Sequence, residues 1–135
     1  MYMNEALKLA QKSYRKNEIP VGAVIVKNNK VIAKGFNKRE KSHIVISHAE
    51  INCILKASRK LKTWKLDNCD MYVTMKPCSM CESVIKQSRI NKVYYLIDKP
   101  SDKKEYNKTN IEKYNKKNSE KEYKKLLNLF FVNRR

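Results

Sequence analysis

Two cysteines three residues apart, directly after a proline, constrain the fold of this chain more than any other feature. The segment Pro77-Cys78-Ser79-Met80-Cys81 opens a stretch of helical periodicity that runs to Ser88. Positions i and i+3 are neighbours on one helix face, so both thiols can chelate one metal ion. A helix N-terminus also favours the thiolate that a metal requires. The spacing therefore predicts a metal site at this helix start, with a redox pair or two buried cysteines as the alternatives.

A second helix start supplies a further candidate ligand. His48 begins a predicted helix that runs to about Lys60. Two thiolates and one imidazole suit zinc, and three protein ligands leave the fourth tetrahedral position open, which is typical of catalytic sites. An ordinary helix start is the alternative interpretation. A structural zinc site would need a fourth protein ligand, for which the candidates are His43, Cys53 and Cys69.

An acid lies two residues after the candidate histidine ligand. Glu50 is rotated by roughly 200° around the helix from His48, so the two side chains cannot both point at one metal ion. A carboxylate beside the metal is suited to general acid–base work, taking a proton from the bound water and passing it to a substrate nitrogen. We therefore interpret Glu50 as the proton-moving group and His48, Cys78 and Cys81 as the ligands.

The hydrophobic periodicity alternates between helices and strands. Helical spacing marks three segments, residues 3–16, 48–60 and 78–88. Apolar runs rich in β-branched residues mark four strands, residues 21–26, 31–33, 71–75 and 93–97, the first two joined at Asn28-Asn29 as a hairpin. After residues 98–118, which have little apolar content, Ser119 and Glu122 form a capping-box pattern before a last helix. This order predicts an α/β fold whose mixed sheet carries helices on its faces.

Positive charge is in large excess. The 135 residues include 31 Lys and Arg against 13 Asp and Glu, a formal net charge of +18. This length fits a single domain of residues 1–135, and no apolar run approaches the ~18–20 residues that span a bilayer. No secretory signal is visible at the start, so we expect a cytoplasmic protein. The charge favours a nucleic acid partner, although a compositional bias of the source gives the same excess.

Several motifs together resemble those of a known family. They are residues 18–26 (EIPVGAVIV), 35–37 (GFN), 48–50 (HAE), 72–74 (YVT), 77–81 (PCSMC) and 88–90 (SRI). H-x-E followed by P-C-x-x-C is the signature of zinc nucleobase deaminases, and the wider set is similar to the bacterial tRNA-specific adenosine deaminases. The resemblance runs from about Glu5 to Val93 and returns at residues 126–131 (LLNLFF). It implies a cytidine deaminase-like three-layer α/β/α fold with a central mixed sheet.

The resemblance also implies the chemistry. In this family a zinc-bound hydroxide, held here by His48, Cys78 and Cys81, attacks C6 of the wobble-position adenine of a tRNA anticodon. Glu50 moves the proton, ammonia leaves and inosine results. One Zn2+ per chain is implied.

Binding residues follow from the same resemblance. Asn37 and Ala49 match positions that bind the target nucleotide. Family members of this type are usually homodimers, so we expect a homodimer, and the phosphates of the anticodon stem-loop need cations. The candidate RNA contacts are Lys56, Arg59, Lys60, Lys62, Lys65, Arg89, Arg134 and Arg135.

Two departures from the family pattern bear on the substrate. Lys76 stands where the family typically has Glu before Pro-Cys, and the loop after Ile97 lacks the family's glycine. Both leave the predicted zinc ligands unchanged. The alternative function is deamination of a free base, nucleoside or nucleotide of the cytosine, dCMP or guanine type, in which the positive charge is incidental. A non-catalytic, zinc-containing RNA-binding module is the third hypothesis.

Overall fold

The computed structural model describes residues 1–99 and 109–133 of the chain. Backbone contacts divide it into two compact units, Met1–Asp102 and Lys103–Arg135. The sheet and the candidate site belong to the first unit.

Helices and strands of the first unit follow the order predicted from periodicity, with one addition. They are α1 (Tyr2–Arg15), β1 (Gly22–Lys27), β2 (Lys30–Phe36), α2 (Arg39–Ser42), α3 (Ala49–Leu61), β3 (Cys69–Met75), α4 (Ser79–Gln87) and β4 (Lys92–Ile97). The addition is α2, one turn of helix in a polar segment without apolar periodicity. Asn28 and Asn29 both have positive φ, 51° and 60°, as a type I′ hairpin turn requires. The predicted hairpin is therefore confirmed.

The four strands form one mixed sheet in the order β2-β1-β3-β4. β1 is antiparallel to both β2 and β3, whereas β3 and β4 are parallel and are connected through α4. Gly22, at the start of β1, pairs with Phe36 at the end of β2, and the next residue, Ala23, pairs with Val73 near the end of β3. The C-terminal ends of β2 and β3 therefore lie at the same edge of the sheet, where the segments leading to α3 and α4 begin.

Two glycines fix a helix on each face of the sheet. A Cβ atom on Gly22 would meet the backbone of Ala6 and Ala10 in α1, and one on Gly35 would meet the backbone of Ala49 and Cys53 in α3. Gly22 and Gly35 occupy successive pairs of the β1–β2 ladder, so they face opposite sides of the sheet. α1 and α3 therefore cover opposite faces, and the three-layer α/β/α fold expected from the resemblance is confirmed.

The main core lies between the sheet and the helices α3 and α4. Its buried members are Ala23, Ile25, Ala33, Ala49, Cys53, Ile54, Ala57, Leu66, Cys69, Met71, Val73 and Ile85. Fully burying a large aliphatic side chain contributes about 1.5–3 kcal/mol, so this cluster holds α3 and α4 firmly against the strands. Both helix starts are thereby fixed at the edge where β2 and β3 end.

The second unit contains one helix among its described residues, α5 (Lys117–Val132). The N-cap is Lys116 and makes no side-chain capping bond, so the predicted start at Ser119 with a capping box is wrong. Glu120 lies in the first turn instead, where its negative charge interacts favourably with the helix dipole. Its carboxylate also forms an ion pair with Lys124 at 3.1 Å. Of residues 98–118, for which the composition predicts a solvated segment or a weak helix, 109–116 contain no helix or strand and 100–108 lie outside the described residues. No helix in the described ranges is long and apolar enough to cross a membrane.

Candidate metal centre and active site

His48 is placed by a short loop that leads from α2 into α3. It is the N-cap residue of α3, with an extended backbone of φ −81° and ψ 157°. Its backbone N–H donates to the Ile46 carbonyl at 2.7 Å, and its own carbonyl accepts the N–H of Asn52 at 3.0 Å. The imidazole therefore projects from a fixed helix start.

Both cysteines of the C-x-x-C motif lie at the start of α4 and face His48. Cys78 is the N-cap residue and Cys81 lies in the first turn, fully buried. His48 Nδ1 lies 3.8 Å from Cys78 Sγ and 3.5 Å from Cys81 Sγ. The three donor atoms all lie within 4.8 Å of one another, so the structure brings the three predicted ligands together.

The spacing of these donors fits zinc. Zinc–sulfur bonds of ≈ 2.3 Å and zinc–nitrogen bonds of ≈ 2.0–2.1 Å in a tetrahedron put nitrogen and sulfur ligands roughly 3.6 Å apart. The two measured nitrogen–sulfur separations, 3.5 and 3.8 Å, lie on either side of this value. Imidazole nitrogen and thiolate sulfur are also the donor types that zinc prefers. The cluster is therefore suited to hold a zinc ion.

Protonation of the two thiols is strongly coupled. Hydrogen bonds from Cys81 and His48 lower the pKa of Cys78 to about 3. The hydrogen bond to Cys78, together with burial, raises the pKa of Cys81 above its usual range. A bound metal ion deprotonates a coordinating thiol outright, so both cysteines would bind zinc as thiolates.

Other predicted ligand candidates lie elsewhere. Cys53 and Cys69 are buried in the main core, where burial raises the pKa of Cys53 to about 12 and keeps it a thiol. His43 is exposed, in a left-handed conformation at the end of α2. In the described ranges, His48, Cys78 and Cys81 are the His, Cys, Asp and Glu residues that group as metal donors. Three protein donors leave one of the four tetrahedral positions of zinc to a non-protein ligand, as in catalytic sites.

Glu50 lies beside this cluster in the first turn of α3. Only 4% of the residue is exposed. Burial raises the pKa of its carboxyl group, against the opposing effects of a backbone N–H and of His48, and its side chain hydrogen-bonds to Cys81. A carboxylate whose pKa is raised is a stronger base, which suits a group that takes up a proton and passes it on. Its placement agrees with the proton-moving role predicted from its position two residues after His48.

Asn37 and Ala49 lie on either side of the loop that carries His48. Asn37 follows β2, and its side-chain Nδ2 donates to the Ile19 carbonyl at 3.2 Å while Oδ1 accepts the N–H of Arg39 at 3.1 Å. An amide nitrogen carries two hydrogens, so one remains beyond the bond to Ile19. Ala49 is fully buried, and its carbonyl oxygen is where a Cβ on Gly35 would lie.

Three buried or half-buried polar residues that the sequence analysis did not identify hold this arrangement. Ser13 Oγ donates to the Asn37 carbonyl at 2.7 Å. The carboxylate of Glu18 accepts the backbone N–H groups of Glu40 and Lys41, and Asn52 Nδ2 donates to the carbonyl of Phe36 at 3.0 Å. Glu18 stands in the EIPVGAVIV motif, which was the available signal. Ser13 and Asn52 lie in helices, where sequence does not show which backbone groups they reach.

Most of the candidate RNA contacts are exposed cations. Lys56, Arg59, Lys60, Lys62, Lys65 and Arg89 are all exposed. Lys65 and Arg89 meet at the ring of Trp64, with Lys65 Nζ 5.6 Å and Arg89 Cζ 5.3 Å from its centroid. Arg134 and Arg135 lie outside the described residues.

Comparison with known proteins agrees with this geometry. Residues 1–97 match the family model described as the cytidine and deoxycytidylate deaminase zinc-binding region. A curated tRNA-specific adenosine deaminase of Bacillus subtilis (strain 168) is 43% identical over 95 residues. This match covers 70% of the chain and 59% of that relative, so the chain spans less than two thirds of the relative's length.

Solved structures of deaminases are also similar. One from a study of A-to-I editing by tRNA:A34 deaminases at the wobble position of transfer RNA is 37% identical with a TM-score of 0.72, and the match covers 73% of this chain and 76% of that one. A guanine deaminase from Bacillus subtilis is 26% identical with a TM-score of 0.80, covering 94% of this chain and 92% of that one. Both neighbours are deaminases that share the fold of this chain.

Proposed function

The chain belongs to the family of the cytidine and deoxycytidylate deaminase zinc-binding region, and we propose that it deaminates the wobble adenosine of a tRNA anticodon to inosine. The observation that carries a deaminase function is the convergence of His48, Cys78 and Cys81 beside the buried carboxyl group of Glu50. The tRNA substrate is supported by the 43% identity to a tRNA-specific adenosine deaminase. The net charge of +18 agrees with an RNA substrate.

His48, Cys78 and Cys81 would hold one zinc ion per chain in this function. When bound, zinc supplies Lewis acidity that activates water for attack on C6 of adenine. The two cysteines at the α4 N-terminus and His48 at the α3 N-terminus fix the metal relative to the sheet, because both helices pack on the main core. The metal position is therefore preorganised by the fold.

Glu50 would move the protons of the reaction. Its carboxylate takes a proton from the attacking water and delivers it to N1 of adenine, and a second proton goes to the departing amino group, which leaves as ammonia. Addition of one water and loss of one ammonia convert adenine to hypoxanthine. Burial raises the pKa of Glu50, which makes its carboxylate a stronger base toward the attacking water.

Asn37 and Ala49 would bind the flipped nucleotide. The second hydrogen on Asn37 Nδ2 is a donor for the nucleotide, since the bond to Ile19 uses one hydrogen. Ala49 directly follows the ligand His48 and is fully buried in the main core, so its binding role is supported by the family resemblance. The exposed cations Lys56, Arg59, Lys60, Lys62, Lys65 and Arg89, with Arg134 and Arg135, would contact the anticodon stem-loop.

A pool of unmodified tRNA tests the proposed reaction. We expect the zinc-loaded protein to convert adenosine at the first anticodon position to inosine, which sequencing reports as guanosine. A parallel reaction with the Glu50→Gln variant controls for contaminating activity. Wobble adenosine that stays unconverted, with zinc bound at one ion per chain, would refute the tRNA assignment.

A free purine base is the second candidate substrate class. The guanine deaminase structure aligns over 94% of this chain, a larger share than the tRNA deaminase structure does. Lys76, the first departure from the tRNA deaminase pattern, lies beside the start of the second, because its N–H donates at 2.9 Å to the carbonyl of Ile97, the residue before the altered loop. Ammonia release from guanine, but not from tRNA, would favour this second function. Cytidine and dCMP complete the substrate panel.

We further propose that residues 1–135 act as one deaminase domain in a cytoplasmic homodimer. The support for the dimer is a run of exposed aliphatic residues that ends two residues before His48: Ile44, Val45 and Ile46 are 53%, 59% and 47% exposed. Contiguous exposed apolar residues mark interaction surfaces. Sedimentation equilibrium is expected to give twice the chain mass, and a monomer at micromolar concentration would contradict the dimer.

A further inference from the structure

Three lysine side chains converge on one aromatic ring close to the candidate site. The Nζ atoms of Lys12, Lys16 and Lys38 lie 5.0, 5.3 and 4.8 Å from the ring centroid of Phe36. Lys12 and Lys16 come from α1 and its C-cap, whereas Lys38 follows β2, so the fold and not the local sequence brings them together. Attraction between an ammonium group and a ring face holds each lysine there.

Two further lysines extend this group. Lys41 lines the same groove as Lys16, Phe36 and Lys38, a groove of about 280 Å³. Burial lowers the pKa of Lys38, and the charges of Lys56, Lys16, Lys12 and Lys41 lower it further, so all five ammonium groups lie within electrostatic reach. We call Lys12, Lys16, Lys38, Lys41 and Lys56 the Phe36 lysine cluster.

Protein carboxylates do little to neutralise this cluster. The ion pairs of the described residues join Lys34 to Glu5, Lys86 to Glu82, and both Lys113 and Lys124 to Glu120, and none includes a cluster member. Glu18 also lines the groove, but its two oxygens accept the backbone N–H groups of Glu40 and Lys41. Mutual repulsion among five cations opposes folding, and a bound anion would relieve it.

The cluster adjoins the residues proposed to bind the target nucleotide. Lys38 directly follows Asn37, and its backbone N–H donates to the Ser47 carbonyl at 2.9 Å, one residue before His48. A nucleotide held by Asn37 in an RNA strand is joined through phosphodiesters to its neighbours. The strand must therefore carry negative charge past the rim of the site, where these lysines lie.

We propose that the Phe36 lysine cluster binds the phosphodiester groups of the RNA strand next to the target nucleotide. The proposal rests on the proposed function for the identity of the RNA. An ammonium group acts as a point charge toward phosphate and carries no sequence information. The cluster would therefore position the strand, while the nucleotide pocket selects the base.

A pair of charge-matched double variants tests the cluster. Lys12→Gln/Lys16→Gln removes two exposed cluster cations from α1 and its C-cap. Lys27→Gln/Lys30→Gln removes two cations from the far end of the β1–β2 hairpin. Strands rise about 3.3 Å per residue, so the control pair lies roughly 17 Å from Phe36 along the sheet. Both variants lower the net charge equally, and glutamine is well tolerated in α1.

Binding of a fluorescent anticodon stem-loop RNA is measured by anisotropy across a series of salt concentrations. For Lys12→Gln/Lys16→Gln we expect Kd at 0.15 M salt to rise about tenfold, and the slope of log K against log salt to fall by about 1.4–1.8. For Lys27→Gln/Lys30→Gln we expect Kd, slope and deamination to match the unmodified protein. Equal changes in both variants, or unchanged binding in the cluster variant, would overturn the proposal.

Two further measurements separate this proposal from the proposed function. Inosine formation by the unmodified protein decides the reaction, whereas the difference between the two double variants decides the phosphate site, even with a protein that binds RNA without deaminating it. Zinc content and thermal unfolding of each variant show whether the fold is intact. Should Lys12→Gln/Lys16→Gln fail to fold, Lys16→Gln/Lys41→Gln replaces it with the same expected loss of affinity.

Discussion

Replacing Glu50 by glutamine is expected to lower kcat about a thousandfold while the protein still binds one zinc ion per chain. Positioned acid–base groups contribute roughly 10²–10⁴-fold to rate, and glutamine keeps the size of Glu50 but cannot accept a proton. Zinc should remain, since the donors of the metal centre are His48, Cys78 and Cys81. Single-turnover deamination of tRNA and metal analysis of the same sample measure the two outcomes.

The free energy of unfolding distinguishes a loss of catalysis in Glu50→Gln from a loss of structure. Burial raises the pKa of Glu50, which means that the zinc-free fold disfavours its charged form. A neutral glutamine should therefore leave the free energy of unfolding of the zinc-free protein unchanged or raise it. Glu82→Gln is the matched control, because Glu82 lies in the first turn of α4 but forms an exposed ion pair with Lys86 at 3.0 Å.

Each outcome of the Glu50 experiment has a clear meaning. Loss of turnover in Glu50→Gln with normal turnover in Glu82→Gln supports the catalytic role. Turnover within threefold of the unmodified protein in Glu50→Gln would refute that role. If the unmodified protein and the Glu50→Gln variant bind RNA and zinc equally and neither shows turnover, the result would favour the non-catalytic RNA-binding module.

Sequence alone predicted the metal donors because each one is marked locally. The C-x-x-C spacing and the helix starts at His48 and Cys78 are short-range patterns. Whether the donor side chains come together depends on the antiparallel pairing of β1 with both β2 and β3. This pairing brings the C-terminal ends of β2 and β3 to one edge of the sheet. The mixed sheet was predicted from element order, but this register is a long-range property that periodicity does not specify.

Sequence does not show how the cations are grouped on the surface, because a sequence window orders charges along the chain and not in space. The run from Lys56 to Lys65 was identified as a group, but the structure divides it. Lys56 lies near Lys38, whereas Lys65 lies with Arg89 at Trp64. The Phe36 lysine cluster draws members from α1, the segment after β2, and α3, so no sequence window contains it.

The short helix α2 also depends on a contact that is distant in sequence, with the carboxylate of Glu18. One helical turn at Arg39–Ser42 has too few residues for apolar periodicity to appear. Its first N–H groups are satisfied by the Glu18 carboxylate, at 2.9 Å to Glu40 and 2.8 Å to Lys41, more than twenty residues away in sequence. Local patterns cannot predict a helix start that a distant buried carboxylate stabilises.

Replacing Cys81 by alanine is expected to remove zinc and with it all turnover. Even the loss of a group that only orients a metal ligand costs 10–100-fold in affinity, so losing a ligand should weaken zinc binding more than about a hundredfold. Zinc binding is coupled to folding, so the thermal stabilisation that added zinc gives the unmodified protein should also disappear. Metal analysis after gel filtration and a zinc titration of the melting temperature measure both effects.

Cys53→Ala is the control that makes this result specific. Cys53 and Cys81 are both fully buried, so each substitution removes one buried sulfur atom and leaves a similar cavity. Burial raises the pKa of Cys53 to about 12, so it remains a thiol packed in the main core and does not bind the metal. We expect Cys53→Ala to lower the melting temperature but to retain one zinc ion and its activity. Zinc retained by Cys81→Ala, or lost equally from both variants, would mean that the three-donor centre is not where the metal binds.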